Sequence, residues 1–392
     1  FDVTVFERWE SPGGKMRGRL IGSVSIDSGP TVFTMRNVFE QLFDDAGETL
    51  DRHVTLRPLD ILARHAWSAD ETFDLSSDIR RSAENVGEFS GPEEARRFIE
   101  FCDRARQIFQ TLDRSFMRAQ RPSPVGLMAA GGIGGLPELL RISPFTTLWR
   151  ELSKYFHDPR LQQLFARYAT YCGSSPFQAP ATLMLVAHAE QDGVWSVEGG
   201  MSKLAGALAR VAETKGARFR YNSGVRNIDI RHGKVRGVVL EDEEFFPADF
   251  VVFNGDVGAV TNGLLGREAV AAAPQFDARH RSLSAVTFTM LAETRGFPLT
   301  RHNVFFSRDY RAEFDAIFAG GRPPNDPTVY VCAQDRGEDT LPEGTERLLV
   351  LINAPANDDR TTSREIEACQ HATFQQMKRC GMSIRYSPEN MR

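Results

Sequence analysis

A short β-rich run that ends in an acidic residue and leads into paired glycines constrains this chain more than any other feature. The run is residues 1–6 (FDVTVF), Glu7 follows it, and Gly13, Gly14 and Lys15 come soon after. In a dinucleotide-binding βαβ unit, the second strand ends in a carboxylate that holds both ribose hydroxyls. A carboxylate there would repel a 2′-phosphate, so the pattern favours FAD or NAD over NADP. The alternative is an edge strand whose Glu is solvated.

A second turn strengthens the nucleotide interpretation. Residues 27–31 (DSGPT) follow the first glycine pair after a polar stretch. Glycines let a backbone approach a ligand because no Cβ stands in the way, and Gly29-Pro30 marks a fixed turn. The glycine-rich turn of a βαβ unit lies about 20 residues before its acidic residue, which would place it before the first residue here. We therefore expect the chain to begin inside its cofactor domain.

Composition excludes several classes of protein. The chain has 392 residues, of which 41% are hydrophobic and 25% charged, as in ordinary soluble globular proteins of two or three domains. A net charge of −5 gives no basic excess for nucleic acid. Five scattered cysteines form no C-x-x-C pair, which indicates a reducing cytoplasm and argues against a disulfide scaffold or a zinc site. The longest uncharged stretch, Pro122–Pro137, is shorter than the roughly 20 apolar residues that span a bilayer.

Amphipathic patterns predict four helical regions. The second has a clear start signal, because Ser90-Gly91-Pro92 precedes two glutamates near the positive end of the helix dipole. Asp158-Pro159 should break the third region into two helices. Its many aromatic side chains would form a helical core or line an elongated apolar tunnel. The regions begin at Val38 and then span Ser90 to about Phe116, Thr147–Tyr171, and Met201 to Lys215.

β-branched and aromatic runs predict strands in two groups. The first group includes a hairpin around His232-Gly233 and a buried strand that ends in the polar turn Asn254-Gly255-Asp256. The second group, with a helix at Thr362–Lys378, should form a separate sheet. The predicted strands are Val54–Leu62, Thr72–Leu75, Ala217–Tyr221, Val225–Arg231, Lys234–Leu240 and Phe250–Phe253, then Ala285–Leu291, Asn303–Phe306, Thr328–Ala333 and Arg347–Ala354.

Six sequence blocks follow one another along the chain. They are Glu7 with Gly13-Gly14-Lys15, Asp27-x-Gly29-Pro30-Thr31, Asp158-Pro159-Arg160-Leu161 with Phe165-x-x-Tyr168, Gly173-x-x-Pro176, Gly193-Val194-Trp195 with Gly199-Gly200-Met201-x-x-Leu204, and Ala248-Asp249-x-Val251-Val252-x-Asn254-x-Asp256. Together they resemble the carotenoid (phytoene) desaturase family of the flavoprotein amine oxidase superfamily, across nearly the whole chain. Lys15 stands where that family has arginine, which keeps the charge but loses the planar fork.

Two further stretches are specific to one branch of this family. Residues 303–310 and 327–332 are most similar to the bacterial 1-hydroxycarotenoid 3,4-desaturases. Those enzymes introduce the 3,4 double bond into acyclic carotenoids that bear a 1-hydroxy or 1-methoxy group. The resemblance implies the same reaction here, with hydride transfer to the flavin and loss of a proton.

The resemblance implies a mixed α/β fold in which a Rossmann-like FAD-binding domain is joined to a substrate domain of mixed sheet and helices. The family opens on a glycine-rich turn and closes on a glycine-rich segment with a helix, so this chain is expected to be a fragment that is inactive alone. The expected division is 1–85 and 196–260 for the FAD-binding domain, 86–195 for a helical substrate- and membrane-facing part, 261–378 for the substrate-domain sheet and helix, and 379–392 for the start of a C-terminal return.

The resemblance also implies which residues hold FAD. Glu7 would bind the adenosine ribose, and Val225 would place its backbone at the adenine edge. No Ser-His-Asp or Cys-His arrangement stands out, as expected where a cofactor performs the redox chemistry. No catalytic base is therefore assigned, and no metal is expected. The full cofactor set is Glu7, Arg8, Gly13, Gly14, Lys15, Gly29, Pro30, Thr31, Val225, Asn254 and Asp256.

The expected partners are a long apolar polyene substrate and a membrane surface. A carotenoid offers almost no polar handle, so its binding depends on apolar burial at about 25 cal/mol per Å². We expect a cytoplasmic protein held peripherally at the inner membrane, with Pro122–Pro137 as a membrane-facing entrance or as a buried loop. Nucleic acid is not expected as a partner, and the oligomeric state stays open. The alternatives are phytoene desaturation proper, an amine oxidase-like enzyme acting on a small polar substrate, and a non-catalytic relative.

Overall fold

The computed structural model describes residues 1–113, 117–118, 142–274, 281–337, 342, 344–356 and 362–392. Pro122–Pro137 lies outside them, as does Phe116, the expected end of the second helical region. Within the described ranges, the strands form one large sheet and four small ones. The strands are β1 (Thr4–Phe6), β2 (Gly18–Ile21), β3 (Val24–Asp27), β4 (Leu56–Pro58), β5 (Ile61–Ala66), β6 (Thr72–Ser76), β7 (Trp195–Val197), β8 (Arg218–Arg220), β9 (Val225–Arg231), β10 (Lys234–Leu240), β11 (Phe245–Pro247), β12 (Ser284–Arg295), β13 (His302–Phe305), β14 (Val329–Ala333), β15 (Glu346–Ala354) and β16 (Ser383–Arg385).

The helices begin and end largely where local signals place them. Pro92 occupies the first turn of its helix after Gly91, and Asp158 caps the helix that starts at Pro159. Among the described helices, none combines the length and the apolar character that a bilayer span requires. The helices are α1 (Arg36–Asp45), α2 (Ile79–Ser90), α3 (Pro92–Leu112), α4 (Leu148–Tyr155), α5 (Pro159–Ala166), α6 (Leu185–Gln191), α7 (Ser202–Thr214), α8 (Val257–Thr261), α9 (Tyr310–Phe318) and α10 (Ser363–Arg379).

The large sheet has seven strands in the order β16-β12-β15-β14-β13-β5-β6. Every neighbouring pair is antiparallel except β13 and β5, which run parallel. The expected second sheet is therefore confirmed. It also includes β5 and β6, which lie in the first of the expected domain segments and form one edge. The chain thus has a mixed α/β fold.

Alternation along β13 shows how this sheet is covered on both faces. Val304 and Phe306 pack into a core cluster with residues of α2 to α6. Phe305, between them, packs on the opposite face with Cys369 and Met377 of α10. The sheet is therefore the middle of three layers.

The aromatic side chains of the third helical region pack against one another. The ring centroid of Phe165 lies 4.5 Å from that of Phe101 and 5.0 Å from that of Phe156. All three side chains are buried. At these separations no ligand fits between the rings, so the helical-core interpretation is confirmed for them.

The smaller sheets carry the N-terminal motif. β1 runs parallel to β8, so that Glu7 follows the carboxyl end of β1 as predicted. β9 and β10 form the predicted hairpin, with β11 as a third strand. Leu204 of α7 packs with Phe33 and Phe43 in a separate core cluster beside this region.

Two predicted strands are wrong. Val54–Leu62 is divided into β4, which pairs with β7, and β5, which joins the large sheet, because the two halves have different partners. Phe250–Phe253 is neither a strand nor buried, and Phe250 and Val252 are 81% and 94% exposed. A strand needs a neighbour for its backbone hydrogen bonds, and no described strand pairs with this run.

Candidate functional site

Two glycine-containing loops meet at the start of α7, and Asp27 joins them. The Asp27 carboxylate accepts hydrogen bonds from the backbone N–H groups of Met201 (2.6 Å) and Ser202 (3.5 Å). A Cβ on Gly200 would lie 2.5 Å from Asp27 Oδ2, so only glycine fits there. Asp27 therefore acts as a helix cap and holds loop 199–201 against turn 27–31.

The first glycine pair lies against the same turn. A Cβ on Gly29 would overlap the carbonyl oxygen of Lys15, so the two backbones are in contact. Gly13 has a φ of 125°, which favours glycine, whereas a Cβ on Gly14 would meet only open space. Three loops thus form one surface of exposed backbone with room beside Gly14. We call them the glycine loops: 13–15, 27–31 and 199–201.

Glu7 is hydrogen-bonded to the end of β8 and to the loop that leads from β8 to Val225. Its backbone N–H donates to the Arg220 carbonyl (2.9 Å), and its carbonyl accepts from the Ser223 N–H (2.9 Å). One carboxylate oxygen accepts from the Trp9 N–H at 3.0 Å. Val225 begins β9 two residues beyond Ser223. Glu7 and the start of β9 are therefore neighbours, as the adenosine end of a dinucleotide site requires.

Two of the expected cofactor residues, Arg8 and Asp256, have other contacts. Arg8 pairs with Glu241 at 2.8 Å on the surface. Asp256 caps α8 by accepting from the Gly258 N–H at 2.7 Å. Asn254 is exposed, and within the described ranges no hydrogen bond joins it or Asp256 to the glycine loops.

A buried polar chain begins at Thr31 and was not expected from the sequence. Thr31 Oγ1 lies 2.6 Å from the Tyr330 hydroxyl, which lies 2.7 Å from His302 Nδ1. Nε2 of His302 is buried, and among the described residues it has no hydrogen-bond partner. Thr31 and Tyr330 are 299 positions apart, so no local pattern reveals the contact. The only sequence signal was that Tyr330 lies in the branch-specific stretch 327–332. We call Thr31, Tyr330 and His302 the Thr31 chain.

A second set of polar side chains is formed by the short helical turn after α5 together with Glu190 of α6. The Tyr168 hydroxyl donates to Glu190 at 2.7 Å, and the Tyr171 hydroxyl donates to the other oxygen of the same carboxylate. The Arg167 guanidinium lies over both rings, 5.3 Å and 5.6 Å from their centroids, and 4.0 Å from Glu190. Burial, and after it the Glu190 carboxylate, raises the pKa of both phenols, so both stay protonated as donors. These four residues are the Arg167 cluster.

The Arg167 cluster and the Thr31 chain influence each other electrostatically. Burial lowers the pKa of His302 to about 3, and the charges of Arg301 and Arg167 act in the same direction. Burial chiefly raises the pKa of Tyr330, and Tyr171 contributes to that shift. His302 is therefore neutral.

The glycine loops have features that suit a nucleotide cofactor. Gly14 leaves backbone groups accessible, and the neighbouring strand end offers the Glu7 carboxylate. Among the described residues, no group of three His, Cys, Asp or Glu side chains is arranged to bind a metal. All five cysteines are free.

The structure contains two small pockets of note. One adjoins the glycine loops and is lined by residues that include Arg57, Gly199 and Arg301. The other, of about 270 Å³, is lined by Phe177, Arg311 and other side chains of the helical layer and α9. Neither is lined by the packed rings of Phe101, Phe156 and Phe165.

Comparison with known proteins agrees with this geometry. The model of the family described as flavin containing amine oxidoreductase matches residues 1–379. The chain is 50% identical to a hydroxyneurosporene desaturase of Rubrivivax gelatinosus, over 100% of this chain and 75% of that protein. It is 41% identical to a hydroxyneurosporene desaturase of Cereibacter sphaeroides, over 98% of this chain and 77% of that protein. A phytoene desaturase of Neurospora crassa is 29% identical, over 90% of this chain and 61% of that protein.

Solved structures share the fold at low sequence identity. An oxidoreductase from Methanosarcina mazei aligns with a TM-score of 0.57 at 14% identity, covering 98% of this chain and 82% of that one. A fatty acid isomerase from P. acnes aligns with a TM-score of 0.54 at 12% identity, covering 99% and 79%. At such identities the likeness concerns the fold alone.

Proposed function

Because this chain belongs to the family of flavin-containing amine oxidoreductases, we propose that it is an FAD-dependent desaturase of acyclic carotenoids. Its reaction would introduce the 3,4 double bond into a carotenoid that carries a hydroxy or methoxy group at C1. The observation that carries the proposal is the 50% identity, along the whole chain, to a hydroxyneurosporene desaturase. The more distant phytoene desaturases support the wider class of substrate.

The residues proposed to hold FAD fall into two groups. Glu7 would accept hydrogen bonds from the ribose hydroxyls, with the start of β9 at Val225 beside the adenine. The glycine loops would lie along the rest of the cofactor, where Gly14 leaves room for it. When bound, the flavin supplies the two-electron acceptor that the reaction needs. Arg8 and Asp256 have weaker support because their observed contacts are elsewhere, and Asn254 has weaker support because it is exposed.

The chain's own residues would position the polyene and exclude water from it. A carotenoid gains about 25 cal/mol for each Å² of apolar surface that it buries, so shape and apolar area decide its binding. Thr31 and its buried neighbours would place polar groups beside only a small part of such a substrate. The proton that leaves is not assigned to a side chain.

A membrane surface is the proposed source of the substrate, because carotenoids dissolve only in lipid. Phe145 is 84% exposed. It lies four residues before Trp149, whose ring packs on Phe177 at 4.9 Å, and the Arg311 guanidinium lies 4.0 Å from the same Phe177 ring. An exposed aromatic side chain suits the boundary between lipid headgroups and acyl chains. A peripheral position at the inner membrane follows as part of the proposal.

The proposal is tested by supplying the flavin-loaded protein with a 1-hydroxylated acyclic carotenoid in liposomes. The expected product lacks two hydrogens by mass and absorbs at longer wavelength, because one more double bond joins the chromophore. An unchanged pigment, together with oxidation of a small amine, would favour the amine oxidase-like alternative. Turnover of neither would favour a non-catalytic relative.

A further inference from the structure

The cavity of about 270 Å³ is lined by residues of α9 and of the loop at 175–178. Its wall includes three aromatic rings, those of Phe177, Phe314 and Phe318, and two charged side chains, Arg311 and Asp315. Phe314 is buried, whereas Phe318 is 36% exposed and both charged side chains are exposed. This cavity, which we call the α9 cavity, therefore opens to solvent with apolar and charged groups side by side.

Arg311 and Asp315 do not pair with each other, although their spacing allows it. Residues four apart on a helix have Cβ atoms about 5–6 Å apart, so opposite charges there can form an ion pair. Arg311 instead lies over the Phe177 ring, with its guanidinium carbon 4.0 Å from the ring centroid. Neither side chain forms an ion pair with any described residue. Because a stacked guanidinium keeps the N–H donors at its edge available, the cavity presents one unpaired charge of each sign.

The two charges select a zwitterion as the ligand. A simple anion would be attracted by Arg311 and repelled by Asp315, and a simple cation would meet the reverse. A phosphate joined to a primary ammonium by two methylene groups satisfies both side chains. Its phosphate oxygens can accept from the guanidinium, and its ammonium can donate to the carboxylate, which are the charge-assisted hydrogen bonds that such groups form best.

The aromatic part of the wall favours a lipid over a soluble zwitterion. The Phe318 ring stacks on that of Phe314, with centroids 6.4 Å apart and planes inclined by 14°, and its exposed side lies beside the charged groups. Phe177 also packs on Trp149, four residues after the exposed Phe145. Exposed aromatic and basic side chains together are typical of segments that lie at the boundary between headgroups and acyl chains.

We propose that the α9 cavity binds the headgroup of phosphatidylethanolamine in the bilayer that supplies the substrate. Arg311 donates to the lipid phosphate, Asp315 accepts from the ammonium, and Phe318 contacts the lipid next to the headgroup. The contact fixes which side of the molecule faces the bilayer. This inference rests on the proposed position at a membrane surface and not on the desaturation reaction.

The test measures binding of the flavin-loaded protein to vesicles by flotation. The vesicles consist of phosphatidylcholine alone, or of phosphatidylcholine with phosphatidylethanolamine or with phosphatidylglycerol. Wild type is expected to bind the phosphatidylethanolamine vesicles on the order of tenfold more tightly than phosphatidylcholine alone, because a trimethylated ammonium has no N–H to donate to Asp315. Phosphatidylglycerol should give a smaller gain, because its headgroup carries no positive charge for Asp315.

Two variants separate the roles of the two charges. Arg311→Gln should abolish the preference for phosphatidylethanolamine and weaken binding to phosphatidylglycerol. Asp315→Asn should also abolish that preference but should strengthen binding to phosphatidylglycerol, because the repelling carboxylate is gone. The matched controls are Arg364→Gln and Glu367→Gln, which remove exposed charges from α10 on the opposite face of the large sheet and should behave as the wild type. Flavin content and melting temperature show that each variant is folded.

Free glycerophosphoethanolamine distinguishes a lipid site from a site for a soluble zwitterion. In calorimetric titration it should bind weakly to wild type and not to Arg311→Gln. Binding of this free headgroup without any preference for phosphatidylethanolamine vesicles would overturn the lipid assignment.

The remaining outcomes separate the inference from the proposals around it. Vesicle binding that is the same for all three compositions, or for wild type and both variants, overturns the inference and leaves the membrane position standing. Absence of binding to every vesicle removes both. The desaturase function fails separately, by absence of product from a carotenoid supplied in detergent micelles.

Discussion

Asp27 connects α7 to the large sheet through one side chain and its own backbone. Its carboxylate caps α7 at Met201, while its backbone N–H and carbonyl exchange hydrogen bonds with the Gln334 side-chain amide at 3.0 Å and 2.9 Å. The motif DxGP therefore has a structural role at its first position, and the glycine loops depend on that role for their mutual placement. The carboxylate is also buried, and burial raises its pKa above the ordinary 3.8 even though Met201 acts in the opposite direction.

Two substitutions of Asp27 should distinguish the stability that comes from its helix-capping hydrogen bonds from the cost of burying its charge. Asp27→Ala removes the acceptor and is expected to cost about 1–2 kcal/mol of the free energy of unfolding. Asp27→Asn keeps an acceptor and buries no charge, so its cost should be smaller. Because the folded-state pKa is raised, the stability contribution of Asp27 is fully present below pH 3.8 and declines as pH rises through the folded-state pKa. Urea unfolding at several pH values should accordingly show Asp27→Asn improving relative to wild type as pH rises.

Glu7 is the residue on which the nucleotide assignment depends most. Glu7→Ala should lower the flavin content of the purified protein, because the ribose hydroxyls lose their acceptor. Glu10→Ala is the matched control, since Glu10 is an exposed acid of the same segment. The measurement is the visible absorbance of oxidised flavin per mole of purified protein. Equal flavin content in the two variants would contradict the assignment.

The sequence signals for the candidate site were all local. Gly13, Gly14, Gly29 and Thr31 could be singled out because glycines and fixed turns stand out in a sequence. The contact of Thr31 with Tyr330 could not, because it joins distant parts of the chain through a fold that no local pattern specifies.

Elements with signals at both ends were predicted well. The break between α4 and α5 follows from Asp158-Pro159, and the structure adds that Asp158 joins two helices: it caps α5 at Arg160 and accepts from Ser90 at 2.6 Å at the end of α2. β4 and β5 were missed as separate strands because their division depends on partners elsewhere. The run at Phe250–Phe253 was misassigned because hydrophobicity alone does not supply a neighbouring strand.

Removal of the Asp158 carboxylate should loosen the contact between α2 and α5. Asp158→Ala loses the cap, the Ser90 contact and the pair with Arg160 (2.6 Å), and is expected to cost about 1–3 kcal/mol. Asp103→Ala serves as the control, because Asp103 makes an exposed pair with Arg106 within α3 and such pairs contribute about 0.5 kcal/mol or less. The comparison is made by urea unfolding, and equal losses in the two variants would argue against the bridging role.

At the scale of the whole molecule, the seven-stranded sheet separates a helical layer from α10, and the glycine loops lie where β3, α7 and the end of β14 meet. The presence of a second sheet was predictable from the order of strands and helices. The membership of β5 and β6 in that sheet could not be predicted, because the parallel pairing of β13 with β5 joins residues more than half the chain length apart.

The proposed membrane attachment should be sensitive to Phe145. Phe145→Asp is expected to weaken binding to liposomes roughly tenfold, because one aromatic side chain no longer enters the lipid. Ile366→Asp changes an exposed apolar residue on α10 and should have little effect. Liposome flotation measures both, and undiminished binding of Phe145→Asp would reject this face as the membrane contact.

The expected entrance at Pro122–Pro137 lies outside the described residues and is tested in the same assay by Leu127→Asp with Met128→Asp.

Anaerobic titration of the flavin-loaded protein with a 1-hydroxylated acyclic carotenoid tests the central claim most directly. If the chain is the proposed desaturase, the flavin is reduced as the carotenoid is added, and each reduced flavin is matched by one pigment molecule with one additional double bond. Without oxygen the two quantities must agree, because the flavin is the acceptor of both electrons. A flavin that stays oxidised with the carotenoid and is reduced by a small amine would contradict the account.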